Sequence, residues 1–267
     1  MTTCKNCHSE FTGKYCPNCS QSASVHRLTL GNIVHEVIHN VTHFDSGALL
    51  LLRKLLYVPG RVAYEYISGM RKRYFNPFTL LIILIALMVY VSNKTNIYGH
   101  FTQRVKEITT GYIKSSSTAS RADKNKADAE IRTVEKKMDE AETSTKKAMD
   151  HSKLINFLFL PVISLLTWRF FRKQKFNYAE NLVLEVFVTC GYTTIFLIFI
   201  IPLYLLIPSQ VVPIMYGYIL INIIYSIVAY RQFFQEPKWR TIFKGILVQI
   251  IYFTIISMIS PVLTRYL

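Results

Sequence analysis

His35 and His39 flank Glu36 and Val37-Ile38 in the pentapeptide HEVIH. On a helix, two histidines one turn apart share a face and can hold one metal ion. The glutamate beside the first can act as general base, which is the arrangement of the zinc proteases. Such a site also needs a third ligand and an open coordination position. His43 lies eight residues beyond His35, a rise of about 12 Å on a straight helix and too far to share the ion. The gap between His39 and His43 holds no glycine, whereas metzincins bend the chain with one before their third histidine. Glu65 and Glu180 come with no recognisable downstream motif. A plainer reading is available. Leu30, Ile33, Val34, Val37, Ile38 and Val41 fall on one arc of a helix, and His35, His39 and His43 fall on the other. The segment reads first as an amphipathic helix at a membrane surface. A surface metal or pH-sensitive contact at His35 and His39 comes second, and catalysis last.

The cysteines carry a more specific signal. Cys4/Cys7 and Cys16/Cys19 are two Cys-x-x-Cys pairs separated by HSEFTGKY. Each pair can form a knuckle that presents two thiolates to one face of a tetrahedral ion. Gly13 offers a turn in the intervening segment, which can fold as a small hairpin that brings the knuckles together. Four thiolates close the coordination sphere, so the expected role is structural and the expected metal is Zn2+. A rubredoxin-like iron site and a redox dithiol are the alternatives. His8 is a superfluous fifth donor, expected in solvent. The fifth cysteine, Cys190, stands in an apolar run and reads as a small buried side chain. Residues 1–30 contain no apolar signal-peptide core. The N-terminus is therefore expected in the cytosol, where thiols stay reduced.

These groups must be carried by a membrane scaffold. Of 267 residues, 51% are hydrophobic, and they fall in long blocks rather than in helical or strand periods. The net charge of +15 fits basic residues flanking the cytoplasmic ends of spans better than it fits nucleic-acid binding. Five spans are expected: Tyr74–Ser92, Leu154–Phe171, Leu182–Ile207, Val211–Tyr230 and Ile242–Leu263. Each is near the ~20 residues that cross the hydrocarbon of a bilayer. The fold class is thus an all-α integral membrane protein, a five-helix transmembrane bundle with a small N-terminal zinc ribbon. The expected organisation is a ribbon over 1–22, amphipathic interfacial helices over 23–73, the first span over 74–92, an extracytoplasmic helical loop over 93–153 and the other spans within 154–267. Pro59-Gly60 should break the interfacial segment, and Pro161 and Pro202 could kink their spans. Within 121–150, Ala127, Ile131, Val134, Met138, Ala141, Thr145 and Ala148 mark a weak heptad seam. It reads as a solvated helix or a helix pair folding back on itself, with an oligomerisation helix, and so a homo-oligomer, as the sharper alternative.

Polar residues also occur inside the spans: Glu185, Thr189 and Tyr192 on one face of the third, Tyr218, Asn222 and Tyr225 on one face of the fourth, and Gln249 and Ser257 in the fifth. Intramembrane polar groups usually face the bundle interior. Here they read as interhelical packing contacts, or alternatively as a polar pathway in which Glu185, Asn222 and Gln249 are the candidate residues. Glu185 lies near the expected cytoplasmic end.

The stretches CKNCHSEFTGKYCPNCSQ, HFDSG and VPGRVAYEYISGMRKRYFNPF resemble a bacterial membrane family, catalogued as domain-of-unknown-function family 3667. The matching positions are the four cysteines, Asp45, Gly47, Pro59, Gly60, Tyr66, Ile67, Gly69, Arg71, Lys72, Arg73, Tyr74, Asn76 and Pro77. The resemblance covers about the first third of the chain. It implies an N-terminal zinc ribbon joined to several transmembrane helices, and it implies no activity. Ser20 stands where zinc ribbons often carry glycine.

The resulting expectation is a multi-pass protein of the bacterial inner membrane, partnered by the lipid bilayer. Its cytosolic ribbon docks a protein partner in a non-catalytic anchor or sensor. A small-solute transporter or channel is the alternative, and a metalloprotease ranks below it. Nucleic acid is the weakest partner, because Lys5 and Lys14 are the only basic residues up to Cys19. Basic residues flank alternate span ends, at Arg71–Arg73, Arg169–Lys175 and Arg231–Lys244. The positive-inside rule then puts the N-terminus in the cytoplasm and the C-terminus outside.

Overall fold

A computed structural model of the chain describes residues 1–31, 33, 47–116, 129–134, 136, 137, 139 and 152–266. The HEVIH pentapeptide with its His35 and His39 lies outside the described residues, as do His43 and Asp45.

The N-terminal unit is built on two short antiparallel contacts. Strand β1 (Thr2–Thr3) pairs with β2 (Glu10–Phe11), Thr2 opposite Phe11 and Thr3 opposite Glu10. An isolated bridge joins Tyr15 to Ser22. Each contact brackets one Cys-x-x-Cys knuckle, so the pairing closes around the knuckles and not within the segment between them. Gly13, at φ 119°, makes the turn that links the two halves.

Two short helices follow, α1 (Gly47–Tyr57) and α2 (Pro59–Ile67). The break falls at Val58 because Pro59 has no amide hydrogen to continue α1, while its fixed φ suits the first turn of α2. Gly69, at φ 117°, takes a left-handed conformation just past the end of α2. Neither helix only skims the surface. Leu51, Leu55, Val62 and Ala63 are buried in the main core.

Helix α3 (Pro77–Thr95) starts at Asn76, whose Oδ1 accepts from the amides of Phe78 and Thr79. Left-handed Asn96 then turns the chain into α4 (Ile97–Ser116). In the polar stretch that follows, residues 129–134 are helical and Ile131 is buried. Lys106 on α4 pairs with Asp139 at 2.8 Å, so this stretch returns alongside α4.

Helix α5 (Ser152–Phe170) contains Pro161. Helix α6 (Tyr178–Ile195) begins four residues before the expected span, because Asn177 and Glu180 form a reciprocal capping box. It runs through a π turn (Phe196–Ile200) into α7 (Ile201–Leu206). The π turn directly precedes Pro202, where the regular ladder lacks a donor. A 3-10 turn, Pro208–Gln210, leads to α8 (Val211–Phe234), and α9 (Lys238–Tyr266) follows.

Among the described residues, four helical runs are long and apolar enough to cross a membrane: Pro77–Thr95, Tyr178–Leu206, Pro208–Phe234 and Lys238–Ile259. Large apolar side chains such as Leu87, Phe199, Leu206, Leu220 and Ile250 stay exposed along them, which suits contact with lipid rather than water. The second expected span forms α5, whose described apolar run, Phe159–Phe170, is shorter than those four.

Helix α6 is the axis of the bundle. It packs on α1, α2, α3 and α5, and Val183, Leu184, Val186, Phe187 and Cys190 are fully enclosed. The Cys190 thiol reaches the Pro77 carbonyl at 3.6 Å, as its reading as a buried small residue requires. The α1–α2 corner locks to α8. Gly60 N–H donates to Gln232 Oε1 at 3.0 Å, and the Tyr225 hydroxyl donates to the Leu55 carbonyl at 2.7 Å. Gly60 is required at this crossing, since a Cβ there would lie 2.0 Å from the Ala229 carbonyl oxygen.

Candidate functional site

The four N-terminal cysteines converge. Their Sγ atoms all lie within 4.8 Å of one another. Cys4 and Cys19 stand 3.5 Å apart, and Cys7 and Cys16 3.6 Å. Thiolates about 2.3 Å from a tetrahedral zinc ion are separated by about 3.8 Å, so the donor set and its spacing fit such an ion. All four cysteines are free thiols.

Local backbone geometry explains the convergence. The amide of His8 donates to the Cys4 carbonyl and that of Ser20 to the Cys16 carbonyl, closing equivalent turns in the two knuckles. His8 (φ 62°) and Ser20 (φ 56°) both sit in the left-handed region. Ser20 thus occupies a backbone position that glycine adopts without steric cost, which explains why ribbons often carry glycine there; nothing in the structure explains the serine. His8 is exposed and stands apart from the thiol cluster, as expected. Phe11 packs against Cys4 and Cys16 as the small core of the unit. In the metal-free thiols, hydrogen bonding to Ser9 lowers the pKa of Cys7 to about 6, while desolvation raises that of Cys19 to about 11. A bound cation would favour the deprotonated form of both.

The thiol unit is fastened to one end of the helical bundle. Arg27 donates from Nε and Nη2 to the two oxygens of Glu180, and from Nη2 to the Lys175 carbonyl. Arg71 donates to the His26 carbonyl, Asn177 to that of Leu28, and the Lys72 amide to Gln21 Oε1. At the same end, Gln174 donates to Glu236, which also pairs with Lys244 at 2.7 Å. The three basic clusters recognised in the sequence therefore gather beside the thiol unit. Charge spacing marked the clusters, but Arg27 and Glu180 carried no sequence signal as a pair, being 153 residues apart.

The intramembrane polar residues are also brought together. Glu185, Asn222 and Gln249 line one cavity of about 580 Å³ between α4, α5, α6, α8 and α9. Thr189, Tyr192 and Tyr218 join them there. Glu185 is 1% exposed and does not reach the end of the bundle; its Oε1 accepts from the Thr167 hydroxyl at 2.6 Å. Asn222 donates from Nδ2 to the Tyr218 carbonyl, while its buried Oδ1 has no hydrogen-bond partner among the described residues. Two expected members fall elsewhere. Tyr225 points to α1 through its bond to Leu55, and Ser257 donates to the Thr254 carbonyl on its own helix. Tyr98 and Phe101 also line the cavity, and their sequence did not mark them as cavity residues. The hydrophilic average of α4 hid them, although aromatic residues one turn from an apolar span were visible.

No curated protein and no solved structure matches the chain. Residues 45–89, which hold α1, α2 and most of α3, match the family described as "Protein of unknown function (DUF3667)".

Proposed function

We propose that this protein is a five-span anchor or sensor of the cytoplasmic membrane, whose ribbon binds one structural zinc ion through Cys4, Cys7, Cys16 and Cys19 and docks a protein partner. One observation carries the reading: a closed four-thiol site is clamped to the basic end of an apolar helical bundle. Four thiolates leave no coordination position for a substrate, so the metal would hold shape. The clamp ties that shape to the helices, so a partner on the ribbon would pull on α6. In this reading α5 is the fifth span, with Pro161 accommodated by its neighbours. The basic end faces the cytoplasm with the N-terminus, and Leu267 lies outside. The test is crosslinking and affinity capture of the full chain from native membranes, with the ribbon intact and as Cys16→Ser. Specific partners retained by the first and lost by the second support docking. Identical captures from both refute it.

A second reading, a small-solute transporter or channel, is favoured by the cavity at Glu185, Asn222 and Gln249. Its test is solute flux into liposomes containing the purified chain. Flux equal to that of empty liposomes removes it.

A further inference from the structure

Among the described residues that line it, the cavity has one acid, Glu185, and no Lys, Arg or His. Among the described residues Glu185 has no ion-pair partner; Thr167 supplies a hydroxyl. An unpaired carboxylate is costly in a surrounding of low polarity unless a positive charge joins it.

The walls suit such a charge. Six aromatic side chains line the cavity: Tyr98, Phe101, Tyr192, Tyr218, Tyr252 and Phe253. Aromatic ring faces attract cations and accept their alkyl groups at the same time. Two of these side chains are held by ring contacts outside the cavity, Tyr98 stacked on Phe196 and Phe101 edge-on to Tyr216. The Asn222 Oδ1 offers an acceptor that no described residue uses. The volume, about 580 Å³, lies in the range of sites for small organic ligands.

We propose that this cavity binds a small organic cation, an amine or quaternary ammonium whose charge pairs with Glu185 and whose apolar groups lie against the aromatic rings. The inference concerns binding alone. It stands whether or not the bundle moves the ligand, and it is independent of the ribbon.

Benzyltrimethylammonium and its neutral carbon isostere, neopentylbenzene, separate charge from shape. Binding of each to the full chain in lipid nanodiscs is measured by equilibrium dialysis, with protein-free nanodiscs as the baseline. The cation should bind saturably, at least about tenfold more tightly than the isostere. Glu185→Gln should weaken the cation by about tenfold or more and leave the isostere unchanged. Ile219→Trp, which fills the cavity while keeping the carboxylate, should abolish both. Equal affinity for the cation in wild type and Glu185→Gln overturns the proposal. So does absence of saturable binding in the wild type, or equal affinity for the isostere, which would indicate a site for neutral apolar molecules. If Glu185→Gln fails to fold, Ile219→Trp decides, because undiminished cation binding there puts the ligand elsewhere.

Discussion

The Arg27 guanidinium holds both oxygens of the Glu180 carboxylate, Nε 2.7 Å from Oε1 and Nη2 2.8 Å from Oε2. Glu180 also accepts from the Asn177 amide as half of the capping box that starts α6. One carboxylate thus fixes the start of the central helix and the segment that follows the thiol unit. Arg27→Ala should leave α6 intact, because the cap remains, but should loosen residues 20–30. The Arg27 side chain is more than half exposed, so solvent screening holds the expected loss to about 1 kcal/mol, the upper end for an exposed ion pair. Amide hydrogen exchange should rise in residues 20–30 and stay unchanged in 183–190. Unchanged exchange in both regions would remove the clamp from the account.

The thiol cluster should carry about one zinc ion per chain by elemental analysis, on the count of its four ligands. Cys16→Ser should reduce that to near zero. Ser20→Gly should instead tighten metal retention against a competing chelator by about 1 kcal/mol, since it removes a left-handed non-glycine residue. A chelator-free preparation with reactive thiols and no metal would refute the site.

Two glycine substitutions should act in opposite directions. At Gly60 an added methyl meets the Ala229 backbone, which cannot move without shifting α8. Gly60→Ala should cost about 1–3 kcal/mol, as overpacking does. At Gly111, within α4, nothing lies within 4 Å, and Gly111→Ala should gain up to about 1 kcal/mol from helix propensity. Thermal unfolding in detergent reads both, and shifts of the same sign would be incompatible with the α2–α8 crossing.

Acid should weaken the α1–α2 corner. Burial alone would raise the Glu65 carboxyl, but the Tyr74 hydroxyl and the charges of Lys54 and Arg61 hold it below the usual carboxylate range. A carboxylate lowered in the folded state stabilises at pH values above its unfolded pKa, about 4.3 for Glu. That contribution is lost as pH falls through the lower folded value. Melting temperature should therefore drop below about pH 4.5, and Glu65→Gln should show a smaller drop. Superimposable acid limbs for the two proteins would exclude Glu65 as a source.

Orientation is accessible to reporter fusions. Alkaline phosphatase should be active when joined after Ser120 or at the C-terminus, and inactive after Gln174. Activity after Gln174 would invert the bundle. A silent C-terminal fusion, with the Ser120 fusion active, would mean four or six spans.

The sequence by itself determined what depends on local chemistry. Two Cys-x-x-Cys pairs specify a four-thiol cluster because each knuckle is closed by its own hydrogen bonds. Apolar runs specify membrane-length helices because length and hydropathy are properties of the run itself. The break at Pro59 followed from the missing amide hydrogen. The polar faces of the third and fourth spans were legible because Glu185, Thr189 and Tyr192, like Tyr218 and Asn222, repeat at helical spacing. Which polar residues share a cavity was decided only by tertiary structure. Tyr225 has the same spacing as Asn222, yet it turns to α1, because Gly191 leaves room for its ring and the Leu55 carbonyl accepts its proton. The contact of Arg27 with Glu180, and the burial of α1 and α2 against α6 and α8, likewise depend on partners far apart in the chain. Such pairings are set by how helices pack on one another, and no residue's periodicity along its own helix encodes the rotation of its neighbour.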